Sequence, residues 1–204
     1  MTFGTALPHY PAAMPQLDSV GSTLLKSASA LLAAEGPGAL TVRRIANEAG
    51  VSTMNVYSRF GGKDGVVDHL FAEGFRLLGD GMRAIVDSGD PVADMMSCGM
   101  AYRRFAIDHP TLYSVMFDRV VPDFVPSIEA QVLAGSTLGL LAERLERAMS
   151  AGALRTADPL PTAALVWATC HGVISLELKG VGPVSIDWPD VYDRAIKTMI
   201  AGLA

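Results

Sequence analysis

The sequence predicts an all-α protein of about nine helices, with a three-helix helix-turn-helix head followed by a helical C-terminal domain. Three observations carry this expectation. Apolar residues recur at helical spacing along most of the 204-residue chain, and no stretch alternates persuasively as a strand would. Glycine and proline punctuate those stretches, at Gly36-Pro37-Gly38, Gly61-Gly62, Gly89-Asp90-Pro91, His109-Pro110 and Gly152. Between Thr41 and Phe60, two helix caps, a glycine turn and the apolar positions all agree on two short helices meeting at a tight turn.

Residues 1–16 hold Pro8, Pro11 and Pro15 and lack a cationic start followed by an apolar run, so they read as a disordered lead and not as a signal peptide. The head is expected over residues 17–66. Asp18 or Ser19 can cap its first helix, in which Val20, Leu24, Ala28 and Leu31 share a face beside Leu25 and Leu32. Thr41 stands where a second helix needs its N-cap, and Ser52 where a third does. Ala46 is small enough for two helices to cross over it, Gly50 permits φ > 0 at the turn, and Ile45, Ala49, Val51, Val56 and Phe60 are the inward positions.

Lys63 opens a long fourth helix expected to reach about Asp87, with a stripe through Val67, Leu70, Phe71, Phe75, Leu78, Met82 and Ile85. It leaves the head and enters a second domain over 67–204, which makes it a mechanical link. Further helices are expected after Asp90-Pro91 and stopping before His109-Pro110, over Thr111 to Asp118, from a Ser127 cap to about Ser150, from about Pro161 to Lys179, and from about Pro189 to Leu203, with Val120 to Pro126 as a loop.

The composition is globular, 50% hydrophobic and 18% charged, and the mean hydropathy of +0.32 hints at an apolar surface that needs a partner. The net charge is −5, yet Thr41 to Lys63 carry Arg43, Arg44, Arg59 and Lys63 against Glu48 alone, a local +3, while residues 77–204 sum to −5. A basic island on an acidic remainder fits a compact DNA reader joined to a different module. No uncharged apolar run of membrane-spanning length is read, so no membrane is expected as a partner. Cys98 and Cys170 fit a reducing cytoplasm and read as buried, inert thiols. His9, His69, His109 and His171 lack metal-ligand spacing, and neither a phosphate-cradling glycine loop nor paired carboxylates stand out. Cys170 and His171 are adjacent and point about 100° apart on a helix, which forbids a nucleophile–base pair. No cofactor, no metal and no catalytic residue is therefore expected, and the chain does not read as an enzyme.

The head pattern of Ala33 to Gly36, Thr41, Ile45-Ala46, Ala49-Gly50-Val51-Ser52, Tyr57, Phe60 and Lys63 resembles the TetR family of transcriptional regulators, and the resemblance runs from about Val20 to the C-terminus. Many relatives carry histidine where this chain has Arg59, a change that keeps a donor and adds a permanent charge. Tyr102 to Ala106, His109 to Tyr113, Trp167 to Gly172 and Leu176-Glu177 look like a subtype of the family's ligand-binding domain.

The resemblance implies a homodimer that reads an inverted-repeat operator in double-stranded DNA and is released, as a repressor, by a small-molecule effector of unknown identity. It places Thr53, Met54 and Asn55 at base edges, with Asn55 suited to adenine and Met54 or Thr53 to a thymine methyl. Tyr57 and Lys63 match the family's phosphate-contacting tyrosine and lysine, Thr41 and Arg43 reach the backbone from the preceding helix, and Arg44 and Arg59 are further candidates. For Thr41 and Ser52, plain capping is an equal and compatible reading. A largely apolar effector is expected against Phe75, Leu78, Met82, Met100, Tyr102, Phe105, Tyr113, Met116, Phe117, Trp167 and His171, although core packing competes at each of these. The last two helices are expected to pair with their two-fold mates through Leu165, Thr169, Val173, Leu176, Val191, Ala195 and Met199, helped by the small Ala164, Ala168 and Gly172. The competing reading is a helical small-molecule-binding or scaffold protein without DNA binding.

Overall fold

A computed structural model describes residues 17–204, and the lead expected over 1–16 lies outside them. Among the described residues there are nine α-helices, one 3-10 turn at Pro37–Ala39 and no strand. The helices are α1 (Ser19–Glu35), α2 (Val42–Glu48), α3 (Thr53–Phe60), α4 (Lys63–Arg83), α5 (Pro91–Asp108), α6 (Pro110–Phe117), α7 (Ile128–Ser150), α8 (Pro159–Leu178) and α9 (Trp188–Leu203).

Asp18 is the cap of α1, its carboxylate accepting from the Gly21 amide at 2.7 Å. Thr41 caps α2 by accepting from the Arg44 amide at 3.3 Å. Gly50 takes φ +67°, and the Val51 amide then donates to the Ala46 carbonyl at 3.0 Å. Ile45, Ala46 and Val56 are fully buried, as are Leu24 and Ala28 of α1 and Val66 of α4, so one small core holds the first four helices together. Between α3 and α4 only Gly61 and Gly62 intervene, both at positive φ, and they fold the start of α4 back over the end of α3.

The fourth helix stops at Arg83 and not near Asp87 as its periodicity suggests. The cause is tertiary: Arg144 on α7 donates to the Met82 carbonyl at 2.8 Å and the Ile85 carbonyl at 3.2 Å, satisfying acceptors that another helical turn would use. Near the other end of α4, Asp68 accepts from the Ser127 amide at 2.8 Å and hydroxyl at 2.7 Å. Ser127 in turn caps α7 by accepting from the Ala130 amide. The linking helix is thus tied to α7 at both ends. Helices α7, α8 and α9 pack on one another in order, α5 and α6 cover α4, and a single apolar cluster continues from the head into this layer.

Contrary to expectation, the chain does hold one uncharged, largely apolar run of membrane-spanning length. Residues 159–176 contain no Asp, Glu, Lys or Arg, and α8 is long and apolar enough, by length and composition alone, to cross a membrane. Its apolar residues encircle the helix. Thr162, Ala163, Val166, Cys170 and Ile174 face the core, whereas Leu165 and Leu176 remain 55% and 45% exposed.

Candidate nucleic-acid interface and ligand cavity

The exposed face of the helix-turn-helix is set by the period of α3. Val56 and Phe60 point inward, which turns Thr53, Met54 and Tyr57 to solvent, Met54 being 69% and Tyr57 54% exposed. Ser52 holds the extended backbone of an N-cap without a side-chain capping bond; its hydroxyl accepts from the Asn55 side-chain amide at 3.1 Å. Asn55 is also held from its other side, where Arg59 donates to its Oδ1 at 2.9 Å. Arg59 itself forms a two-pronged pair with Asp18, at 2.9 Å and 2.6 Å. Its guanidinium, together with the Gly21 amide, holds the Asp18 carboxyl down at about 2. Arg44 is likewise paired with Glu35, at 2.8 Å and 2.5 Å, and holds that carboxyl below its ordinary range.

The ten candidate DNA contacts therefore fall into two groups. Thr41, Arg43, Thr53, Met54, Tyr57 and Lys63 lie on the outer surface, Lys63 with only a 3.7 Å approach to Asp64. Ser52, Asn55, Arg44 and Arg59 are engaged within the head. The basic island is correspondingly weaker than its sequence suggests: residues 17–66 hold five Lys/Arg and four Asp/Glu, a net +1. The neutralising Asp18 and Glu35 sit outside the Thr41–Lys63 window, so a charge count along that window misses them.

Behind the head, α4, α5, α6, α7, α8 and α9 line a cavity of about 260 Å³. Six of the expected lining residues reach it: Phe75, Leu78 and Met82 from α4, Tyr102 from α5, Phe117 from α6 and Trp167 from α8. The other five do not. Met100 is on the surface, Phe105 and Met116 are buried elsewhere in the core, and Tyr113 and His171 stand behind Tyr102. Met116 fills the space left by Gly74, where a side chain would collide with its sulfur. Thr137, Leu138 and Leu141 of α7 and Ile196 and Ile200 of α9, which the sequence pattern does not single out, also line it. Their 3–4-residue spacing was a visible signal, but only the packing says which side of each helix meets a void.

Four polar groups meet at one end of this cavity. The Trp167 indole donates to the Tyr102 hydroxyl at 3.1 Å. Tyr113 lies 2.6 Å from His171 Nδ1 and Tyr102 lies 3.4 Å from both. Burial pushes the Tyr113 phenol up to about 12 and that of Tyr102 further still. Burial also lowers the His171 pKa from its ordinary 6.5. A neutral ring has one donor and one acceptor nitrogen, and Nδ1 is the one committed to Tyr113. A histidine depressed in the folded state adds stability above the unfolded value and loses it as pH falls through the window below 6.5. The melting temperature is expected to fall between pH 7 and pH 5, and less so in His171→Gln; an identical slope in that variant would exclude His171 as the cause.

Alongside, Arg103 pairs with Glu177 at 2.5 Å, both mostly buried, and its guanidinium sits 5.9 Å from the centre of the Tyr192 ring. Tyr192 donates to the Gly99 carbonyl at 2.6 Å. These contacts fix α5 against α8 and α9, joining the segments around Tyr102, Trp167 and Glu177. The outer face of α8 and α9 carries a shallow groove lined by Thr169, Val191, Ala195, Thr198 and Met199. Met199 borders both the groove and the cavity.

Residues 24–70 match the family model for bacterial regulatory proteins of the tetR family, and residues 95–201 match that for the tetracyclin repressor-like C-terminal domain. The chain belongs to the TetR family. It is a DNA-binding transcriptional regulator, and not an enzyme. Solved structures agree in fold. A protein of unknown function from Rhodococcus sp. RHA1 is 25% identical with a TM-score of 0.80, over 94% of this chain and 100% of that one. The fatty acid degradation regulator FadR from Bacillus halodurans is 17% identical with a TM-score of 0.77, over 92% of this chain and 98% of that one. The TetR family regulator PfmR from Thermus thermophilus is 18% identical with a TM-score of 0.69, over 89% and 98%. No curated protein sequence matches this chain. In this TetR regulator the first turns of α4 pack on α3 and its far half lines the cavity, so one helix touches both.

Proposed function

We propose that this TetR regulator is a cytoplasmic homodimeric repressor that binds an inverted-repeat operator and leaves it when a small molecule fills the cavity. The head over 17–66 supplies base and phosphate contacts, and 67–204 supplies effector binding and dimerisation. The observation that carries the reading is the solvent-facing set Thr53, Met54 and Tyr57 on a head whose four helices share one buried core. Met54 and the Thr53 methyl suit thymine methyl groups in the major groove, and Tyr57, Lys63, Thr41 and Arg43 suit phosphates.

Dimerisation places α8 and α9 against their two-fold mates. Leu165 and Leu176 are large apolar side chains left exposed on a helix with little charge, and the exposed Ala164, Ala168 and Gly172 at four-residue spacing permit close approach. Effector binding acts through α4, whose Phe75, Leu78 and Met82 line the cavity while its first turns hold the head. A molecule that favours one position of α4 shifts the spacing of the two heads by its differential affinity for the two states.

Gel shift with duplexes from the chain's own promoter tests this reading, and absence of any salt-sensitive complex would refute it. The slope of log affinity against log salt reports the phosphates neutralised. Lys63→Ala is expected to lower that slope by about one unit. Arg59→Ala is expected to leave it nearly unchanged, because the charge of Arg59 is already matched by Asp18. Equal losses in the two variants would show that the Asp18 pair opens on DNA.

A further inference from the structure

We infer that the effector is an uncharged, largely apolar molecule presenting one hydrogen-bond acceptor oxygen, of ketone, ester or ether type, to the Tyr102 hydroxyl. This rests on the reading of the cavity as the effector site. A 150 Å³ apolar cavity takes up benzene. On that scale, a volume of about 260 Å³ corresponds to about ten non-hydrogen atoms.

The absence of charge follows from the lining. No Asp, Glu, Lys, Arg or His borders the cavity, so a carboxylate or ammonium would be stripped of water with no opposite charge to receive it. Two cations on the helices that line it are already committed. Arg144 donates to the Met82 and Ile85 carbonyls, and Arg103 is paired with Glu177.

The acceptor follows from counting protons. Of the polar side chains at the wall, Trp167 spends its only proton on Tyr102. The Thr137 hydroxyl donates to the Leu133 carbonyl at 3.2 Å. Cys98 and Cys170 are weak donors, and burial raises both thiols. Tyr102 is different. Its oxygen receives the Trp167 proton, but its own proton faces only the Tyr113 hydroxyl and His171 Nδ1, each at 3.4 Å. Both distances exceed the 2.5–3.0 Å of a good O–H···O bond, and His171 Nδ1 is already engaged by the much closer Tyr113 hydroxyl at 2.6 Å, whichever of the two groups donates. The Tyr102 proton is therefore the best donor at this wall without a good partner, and a buried donor so placed rewards a ligand oxygen.

The test is calorimetric titration of the full-length chain with three probes of similar size: propiophenone, butylbenzene and 3-phenylpropanoate. Each is measured on the unmodified protein and on Tyr102→Phe. The ketone is expected to weaken about tenfold in Tyr102→Phe, one neutral hydrogen bond's worth, while butylbenzene changes by less than about twofold. The carboxylate is expected not to bind at concentrations that saturate with ketone. Trp167→Phe, which removes the indole donor and leaves the Tyr102 hydroxyl, is expected to retain the ketone's sensitivity to Tyr102→Phe. An unchanged ketone affinity, parallel losses for ketone and hydrocarbon, or tight binding of the carboxylate would each overturn the inference and leave the cavity as an effector site. Failure of both uncharged probes to bind the unmodified protein would remove the cavity reading itself, and the inference with it.

Discussion

Gly65→Ala is expected to abolish operator binding while leaving ligand binding in the C-terminal domain intact. The two-glycine connection between α3 and α4 brings the first turn of α4 against the end of the recognition helix. A Cβ at residue 65 would overlap the Phe60 carbonyl oxygen and lie 2.8 Å from its carbonyl carbon. Both are backbone atoms and cannot swing aside as a flexible side chain would. Relief requires displacement of α3 relative to α4, at a cost of about 3 kcal/mol. Phe60 also packs edge-on against His69 of α4, with ring centres 4.9 Å apart, so the strain spreads into the contact that orients the reading face. With both heads misplaced, affinity should fall toward the non-specific level, about 10³-fold or more. Gel shift and thermal unfolding of the variant check this, with propiophenone titration as the control. Retained operator affinity would show that the head tolerates a shift of α3 and that its geometry is not what reads DNA.

Ala168→Arg is expected to give a folded monomer that binds operator weakly. Ala168 lies on the exposed side of α8 between Ala164 and Gly172, with Leu165 and Leu176 on the same outer surface. An arginine there costs the monomer little, since the side chain reaches water. In a four-helix interface it would have to be buried without a partner charge. One head alone offers few phosphate contacts, and the +1 charge over residues 17–66 gives little general attraction to make up the loss. Binding should then fall to the roughly 10⁻⁴–10⁻⁶ M range of non-specific contact. Sedimentation velocity and gel shift on the same preparation check both halves. A dimeric Ala168→Arg protein would place the interface elsewhere, and a monomer with undiminished affinity would remove the need for two heads.

How much of this was visible in the residues depends on how far apart the interacting groups lie. The helix starts at Lys63 and Ile128, the Thr41 cap, a first cap at Asp18 or Ser19 and the Gly50 turn are legible because each depends on groups within a few residues of one another. The end of α4 was misjudged because Arg144, some sixty positions later, takes its last carbonyls. The candidate site divides in the same way. Met54 and Tyr57 were legible as outward positions from the inward Val56 and Phe60 alone. Asn55 and Arg59 were matched to DNA by residue type, yet Asp18, 41 positions before Arg59, draws both into the head. In the cavity, Phe75, Leu78 and Met82 followed from one helix's stripe, whereas Met100 was assigned inward and lies outside.

The all-α class, the order of the helices, the helix-turn-helix and the family follow from the residues alone, because periodicity, caps and turn residues act over one or two turns of chain. Which arginines are already paired, which faces line the cavity, and that the Tyr102 hydroxyl finds its hydroxyl and imidazole neighbours only at 3.4 Å were set by the packing. Those outcomes depend on distances between groups tens of residues apart, and only the packing of one helix on another sets them.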